Sequence, residues 1–116
     1  MTEERLFPGP LSAVYVATRR LVLASGDDIT EEFTRTQVSY GCARKFAWLA
    51  PLTKTKALLN LDLSDEKAAP LLRGVIRYRE DKFTHQIEVR SAEDVEAVQA
   101  LGWIEEAVWW GRRERR

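Results

Sequence analysis

The chain has 116 residues, 45% of them hydrophobic and 31% charged, with 18 lysines and arginines balanced by 18 aspartates and glutamates. That length fits one domain, 1–116, around one core, and the composition excludes a mainly disordered chain or a disulfide scaffold. A formal net charge of zero excludes a global basic field, so any nucleic-acid contact has to come from a local patch.

Cys42 is the single cysteine and can form no internal disulfide. No apolar run approaches the roughly 18–20 residues that span a bilayer, and Met1 to Arg5 lacks the apolar core of a signal peptide. The expectation is a soluble cytoplasmic protein with no membrane partner.

Residues 1–9 read as a polar lead-in with Phe7 as a docking residue. From Pro10 the apolar residues Leu11, Val14, Tyr15, Leu21 and Val22 keep helical spacing until Ser25 and Gly26, which predicts a first helix over 10–24. After a turn at Asp27 and Asp28, Thr30, Phe33, Thr34, Thr36, Val38 and Tyr40 suit a pleated surface and predict a first strand. Gly41 ends or bulges it, and Lys45 to Leu52 follows as a second strand.

A third strand, Lys56 to Leu63, makes a hairpin with the second around Thr53, Lys54 and Thr55, and two registers compete. With Leu52 opposite Ala57, Phe46, Trp48 and Ala50 share an apolar face with Leu59, Leu61 and Leu63. With Leu52 opposite Lys56, Trp48 faces Asn60 and Phe46 faces Asp62. The first segregates the core better and is the one expected, although no Gly or Asn in the turn fixes it.

Ser64 caps a short expected helical turn that Pro70 limits. Gly74 to Lys82 shows no decisive period. Phe83 to Arg90 alternates, with Phe83, His85, Ile87 and Val89 on one face, and predicts a half-buried strand. Ser91 with Asp94 forms a capping-box pattern, and the spacing of Val95, Val98, Leu101, Ile104 and Val108 requires a break near Gly102. Two helices follow, over 92–100 and 102–111, the second carrying Trp103, Trp109 and Trp110. The fold class is therefore α+β: an N-terminal helix, an antiparallel sheet of about four strands, and C-terminal helices packed on one face.

Candidate chemistry is sparse. Cys42 lies near Arg44 and Lys45, but His85 is the only histidine and falls on an apolar strand face, so no nucleophile and base pair emerges and the expectation is a protein without catalysis. One histidine and one cysteine make no zinc site, the carboxylates lack a calcium-loop pattern, and the six glycines are isolated, so no metal or cofactor is expected. What remains is a binding surface. Arg44, Lys45, Lys54 and Lys56 surround the hairpin, Arg77, Arg79 and Lys82 precede the last strand, and Arg112, Arg113, Arg115 and Arg116 form a basic tail, 112–116. Tyr40, Trp48, Tyr78 and Trp110 can interleave with them as stacking surfaces. The leading expectation is a binding module for a protein or nucleic-acid partner. The alternative is a small-ligand or iron-handling protein with Trp48 and His85 in a pocket between the sheet and the C-terminal helices. Self-association as a homodimer through the tryptophan-rich helix or an unpaired sheet edge is also expected to be open to this chain.

The run Ile29 to Tyr40, then Lys45-Phe46-Ala47-Trp48, Leu58 to Leu63, Ile87-Glu88-Val89-Arg90-Ser91 and the helix from Glu93 and Asp94 resembles a bacterial domain-of-unknown-function family, number fifty-six fifty-five, over about residues 10–110. Val38-Ser39-Tyr40-Gly41 followed by Phe46 is also similar to the YdhG-like small α+β domains, some of whose relatives have been proposed as iron chaperones. Those domains carry a Gly-aliphatic-Pro turn where this chain has Cys42-Ala43-Arg44. The first resemblance implies an α+β fold and carries no activity with it.

Overall fold

A computed structural model describes residues 6–113. Helix α1 spans Leu11–Leu23, followed by strands β1 (Thr30–Phe33), β2 (Val38–Gly41), β3 (Lys45–Pro51), β4 (Ala57–Leu63), β5 (Leu72–Arg79) and β6 (Lys82–Val89), then helices α2 (Ala92–Ala100) and α3 (Trp103–Arg112). The strands form one antiparallel sheet in the order β1-β2-β3-β4-β6-β5, and the three helices cover one of its faces. No described helix is long and apolar enough to cross a membrane.

The helices follow the expected pattern closely. Pro10 occupies the N-cap of α1 rather than its first turn. Gly102, at φ +80°, takes the left-handed conformation that separates α2 from α3, which few other residues adopt without strain. Ser91 Oγ accepts the Asp94 N–H at 3.3 Å, and Asp94 Oδ2 accepts the Arg90 N–H at 2.9 Å, so this end of α2 is satisfied by side chains.

The sheet has six strands, not about four, for two reasons. The expected first strand is a hairpin: the Thr34 hydroxyl accepts the N–H groups of Thr36 and Gln37 and folds 34–37 into a turn between β1 and β2. The undecided stretch after Gly74 belongs to β5, which carries register shifts between Leu72 and Gly74 and between Arg77 and Arg79. Each shift inserts an extra residue, and this erases the period of two that announces a strand. Residues 64–71 form no helix; Lys67 instead gives its N–H to His85 Nε2.

The β3–β4 hairpin takes the register that segregates the apolar residues less well. Trp48 pairs with Asn60, and the Leu52 N–H reaches the Lys56 carbonyl at 2.9 Å. The turn sets this, since Thr53 Oγ1 accepts the N–H groups of Thr55 and Lys56 and closes the loop at Lys56. Trp48 is therefore not a core residue beside Leu59, Leu61 and Leu63; it stands on the helix-free face with Asn60. Phe46 nevertheless reaches the core, because the pairing steps from Gly41 with Lys45 to Tyr40 with Ala47 and leaves Phe46 as the extra residue of a bulge. Phe46 and Ala47 thus both turn inward, and both are fully buried.

The helix-side face carries Leu49, Leu59, Leu61, Leu63, Ile87 and Val89, each at most 1% exposed. Burying a side chain of that size stabilises by about 1.5–3 kcal/mol. Among the described residues no helix covers the opposite face, which α3 reaches only at one corner through Trp110.

Candidate functional site

Two bulges shape one corner of the helix-free face. One, at Phe46, brings Arg44 and Lys45 to the start of β3; at Gly41, across from them, a Cβ would lie 3.0 Å from Lys45 Cα, so only glycine fits without displacing backbone. The other makes Tyr78 the extra residue of β5. Between them lies a pocket of about 550 Å³ whose cationic wall is Arg44, Lys45, Arg79 and Lys82. Its aromatic wall is Trp48, Tyr78 and Trp110, and Asp62 and Thr84 form its floor.

Cations and rings are interleaved. The Arg44 guanidinium lies 3.7 Å from the Trp110 ring centroid and donates to the Trp110 carbonyl at 2.9 Å. Lys45 Nζ stands 4.9 Å from the Trp48 ring, and Lys82 Nζ 5.1 Å from Tyr78. Trp110 is itself fixed, its indole N–H donating to the Asp81 carbonyl at 2.8 Å. At the floor, Thr84 Oγ1 donates to Asp62 Oδ1 at 2.5 Å. Burial pushes the Asp62 carboxyl above the ordinary range, while the Thr84 bond and the charges of Lys82, Lys45 and Arg44 pull the other way.

Of the expected site residues, Arg44, Lys45, Trp48 and Arg79 meet at this pocket. Lys54 and Lys56 do not, because they sit at the opposite end of the hairpin, where Lys56 pairs with Glu88 at 3.6 Å. Arg77 pairs with Phe83 in the ladder and lies 5.7 Å from its ring, away from the pocket. Tyr40 belongs to the core, its hydroxyl donating to Glu31 at 2.9 Å; Tyr78 and Trp110 do line the pocket. In the basic tail Arg112 pairs with Asp28 and Arg113 with Asp81, and Arg115 and Arg116 lie outside the described residues. The pairing of Asp62 with Thr84 has one signal in the sequence, an aspartate inside the run Leu59 to Leu63.

His85 and Trp48 do not share a pocket. His85 pairs with Leu61 and Trp48 with Asn60, so adjacent positions on β4 send them to opposite faces. His85 is fully buried, its ring 5.5 Å from Trp103. Nε2 accepts the Lys67 N–H at 2.9 Å, and Nδ1 lies 3.0 Å from the Phe83 carbonyl. A carbonyl can only accept, so Nδ1 carries the proton and the ring is neutral. Burial accordingly holds the His85 pKa below its ordinary 6.5. The unfolded chain then takes up this proton first on acidification. The contribution of His85 to stability is complete above about pH 6.5 and is lost as pH falls toward the lower folded value. Urea unfolding between about pH 8 and 5.5 checks this: His85→Gln should flatten the slope, and an unchanged slope would remove the assignment.

Among the described residues no group of three or more His, Cys, Asp or Glu side chains lies together as a metal site. The profile of a domain of unknown function, DUF5655, matches residues 3–108. No curated protein and no solved structure matches the chain.

Proposed function

We propose, for a chain that belongs to the DUF5655 family, that the helix-free face of the sheet binds single-stranded nucleic acid and carries out no catalysis. The supporting observation is the convergence of four cations and three aromatic rings on one pocket of about 550 Å³ in a chain with no net charge. Phosphates suit Arg44, Lys45, Arg79 and Lys82, while an extruded base suits the ring of Trp48 or Tyr78. Backbone neutralisation and stacking are the two terms that bind single strands without a covering groove. Trp48 is half-buried and Tyr78 60% exposed, so both rings retain area to offer.

Anisotropy of a labelled single strand of about twelve nucleotides at about 50 mM salt tests the proposal. Wild type should bind, and Trp48→Ala should weaken binding roughly tenfold while the far-ultraviolet spectrum is unchanged. A wild-type protein that binds no oligonucleotide at that salt concentration would remove the reading.

A further inference from the structure

Cations and rings alone would accept any base, but the pocket floor adds a constraint. Asp62 is 2% exposed and Thr84 1%. The Thr84 hydroxyl has one proton and gives it to Asp62 Oδ1. Asp62 Oδ2 has no hydrogen-bond partner among the described residues, and the carboxylate borders the pocket. The pair therefore offers a ligand only lone pairs. A simple anion drawn in by the rim is repelled at this depth. The favoured ligand keeps its negative charge at the rim and buries an edge rich in N–H donors.

Among the bases, guanine alone sets two N–H donors side by side on its Watson–Crick edge, at N1 and N2. Cytosine and adenine place a ring-nitrogen acceptor next to their amino group, and thymine or uracil flanks its single N–H with carbonyls. Against an acceptor-only floor each of these faces at least one repulsive or unpaired contact, and an unpaired buried polar group is costly. We propose that Asp62 and Thr84 make this pocket selective for guanine, with the attached phosphates on Arg44, Lys45, Arg79 and Lys82. The inference rests on the nucleic-acid reading above and names the base that the same site takes.

The test uses the full chain at about pH 8, roughly four units above the ordinary aspartate pKa so as to offset the rise that burial gives Asp62, and about 50 mM salt. Fluorescein-labelled oligothymidylates of about twelve nucleotides carry one central guanine, adenine, cytosine, hypoxanthine or thymine. The guanine probe should bind on the order of tenfold tighter than the all-thymine strand. Hypoxanthine, which keeps the N1 proton but lacks the N2 amino group, should fall between them. Asp62→Asn, which brings an N–H2 to the floor, should flatten the series, and so should Thr84→Val, which removes the hydroxyl without changing charge.

Equal affinity for all five probes overturns guanine selection and leaves the nucleic-acid reading standing. A guanine preference undiminished in both folded variants overturns the role of Asp62 and Thr84. Failure of every probe to bind overturns both proposals. If neither variant folds, the guanine and hypoxanthine probes on wild type still decide, because equal binding of those two also overturns the inference.

Discussion

Phe46→Ala should destabilise the protein by about 3–5 kcal/mol, the cost of removing a buried phenyl ring. Phe46 is fully buried on the bulge of β3, and it meets α3 so closely that a Cβ on Gly111 would fall 2.6 Å from Phe46 Cδ2 and 3.1 Å from Phe46 Cβ. Against a total stability of about 5–15 kcal/mol for an ordinary domain, that loss takes a large share. Gly111→Ala should approach the same contact from the other side, overpacking it at a cost of about 1–3 kcal/mol. Both changes alter one interface, so their effects should not add. Combining Gly111→Ala with Phe46→Leu should recover part of the loss, with a coupling of about 0.5–3 kcal/mol. Urea unfolding of Phe46→Ala, Phe46→Leu, Gly111→Ala and the Gly111→Ala/Phe46→Leu double variant measures this. A Phe46→Ala cost below about 1 kcal/mol, or strict additivity of the pair, would show that this packing does not hold β3 against α3. The contact also matters to the site, because the bulge that buries Phe46 is what brings Arg44 and Lys45 to the pocket.

The helices and β6 were legible in the sequence because each carries an uninterrupted period. Ser91 and Gly102 marked the ends of α2, and Phe83, His85, Ile87 and Val89 alternate without a break. The fold departs from the apolar pattern where hydroxyl-to-backbone bonds or bulges override it. Thr34 folds one expected strand into two, and Thr53 selects the hairpin register that apolar segregation argued against. The bulge at Phe46 then lets that register bury Phe46 while leaving Trp48 half-buried on the other face, an outcome outside both alternating patterns. The pocket was legible as a set of residue types and not as a place. Arg44, Lys45 and Trp48 are near in sequence, but Arg79 and Lys82 join them only because β6 pairs with β4 and β5 lies beyond it. Lys54 and Lys56 looked like neighbours of Arg44 and are separated from it by the seven residues of β3, about 20 Å of extended chain.

That separation gives the nucleic-acid proposal its quantitative form. If the four cations of the pocket each engage one phosphate, a single strand should release about 0.7 counterions per contact, giving a log–log salt slope of about 2.8. Raising salt from about 50 to 200 mM should then weaken binding roughly fiftyfold. Neutralising two of the four, Lys45→Ala with Lys82→Ala, should halve the slope to about 1.4 and reduce the same salt penalty to roughly sevenfold. Lys54→Ala with Lys56→Ala removes the same charge from the far end of the hairpin and should leave the slope near its wild-type value, because those side chains line no part of the pocket. The comparison holds net charge constant, so a difference between the two pairs reports position and not global attraction. Equal slopes for the two double variants would mean that the strand follows the protein's diffuse field, and the pocket would lose its role as the binding site. A reduced slope confined to Lys45 and Lys82, with Trp48→Ala weakening binding at every salt concentration, separates phosphate contacts from stacking within one pocket.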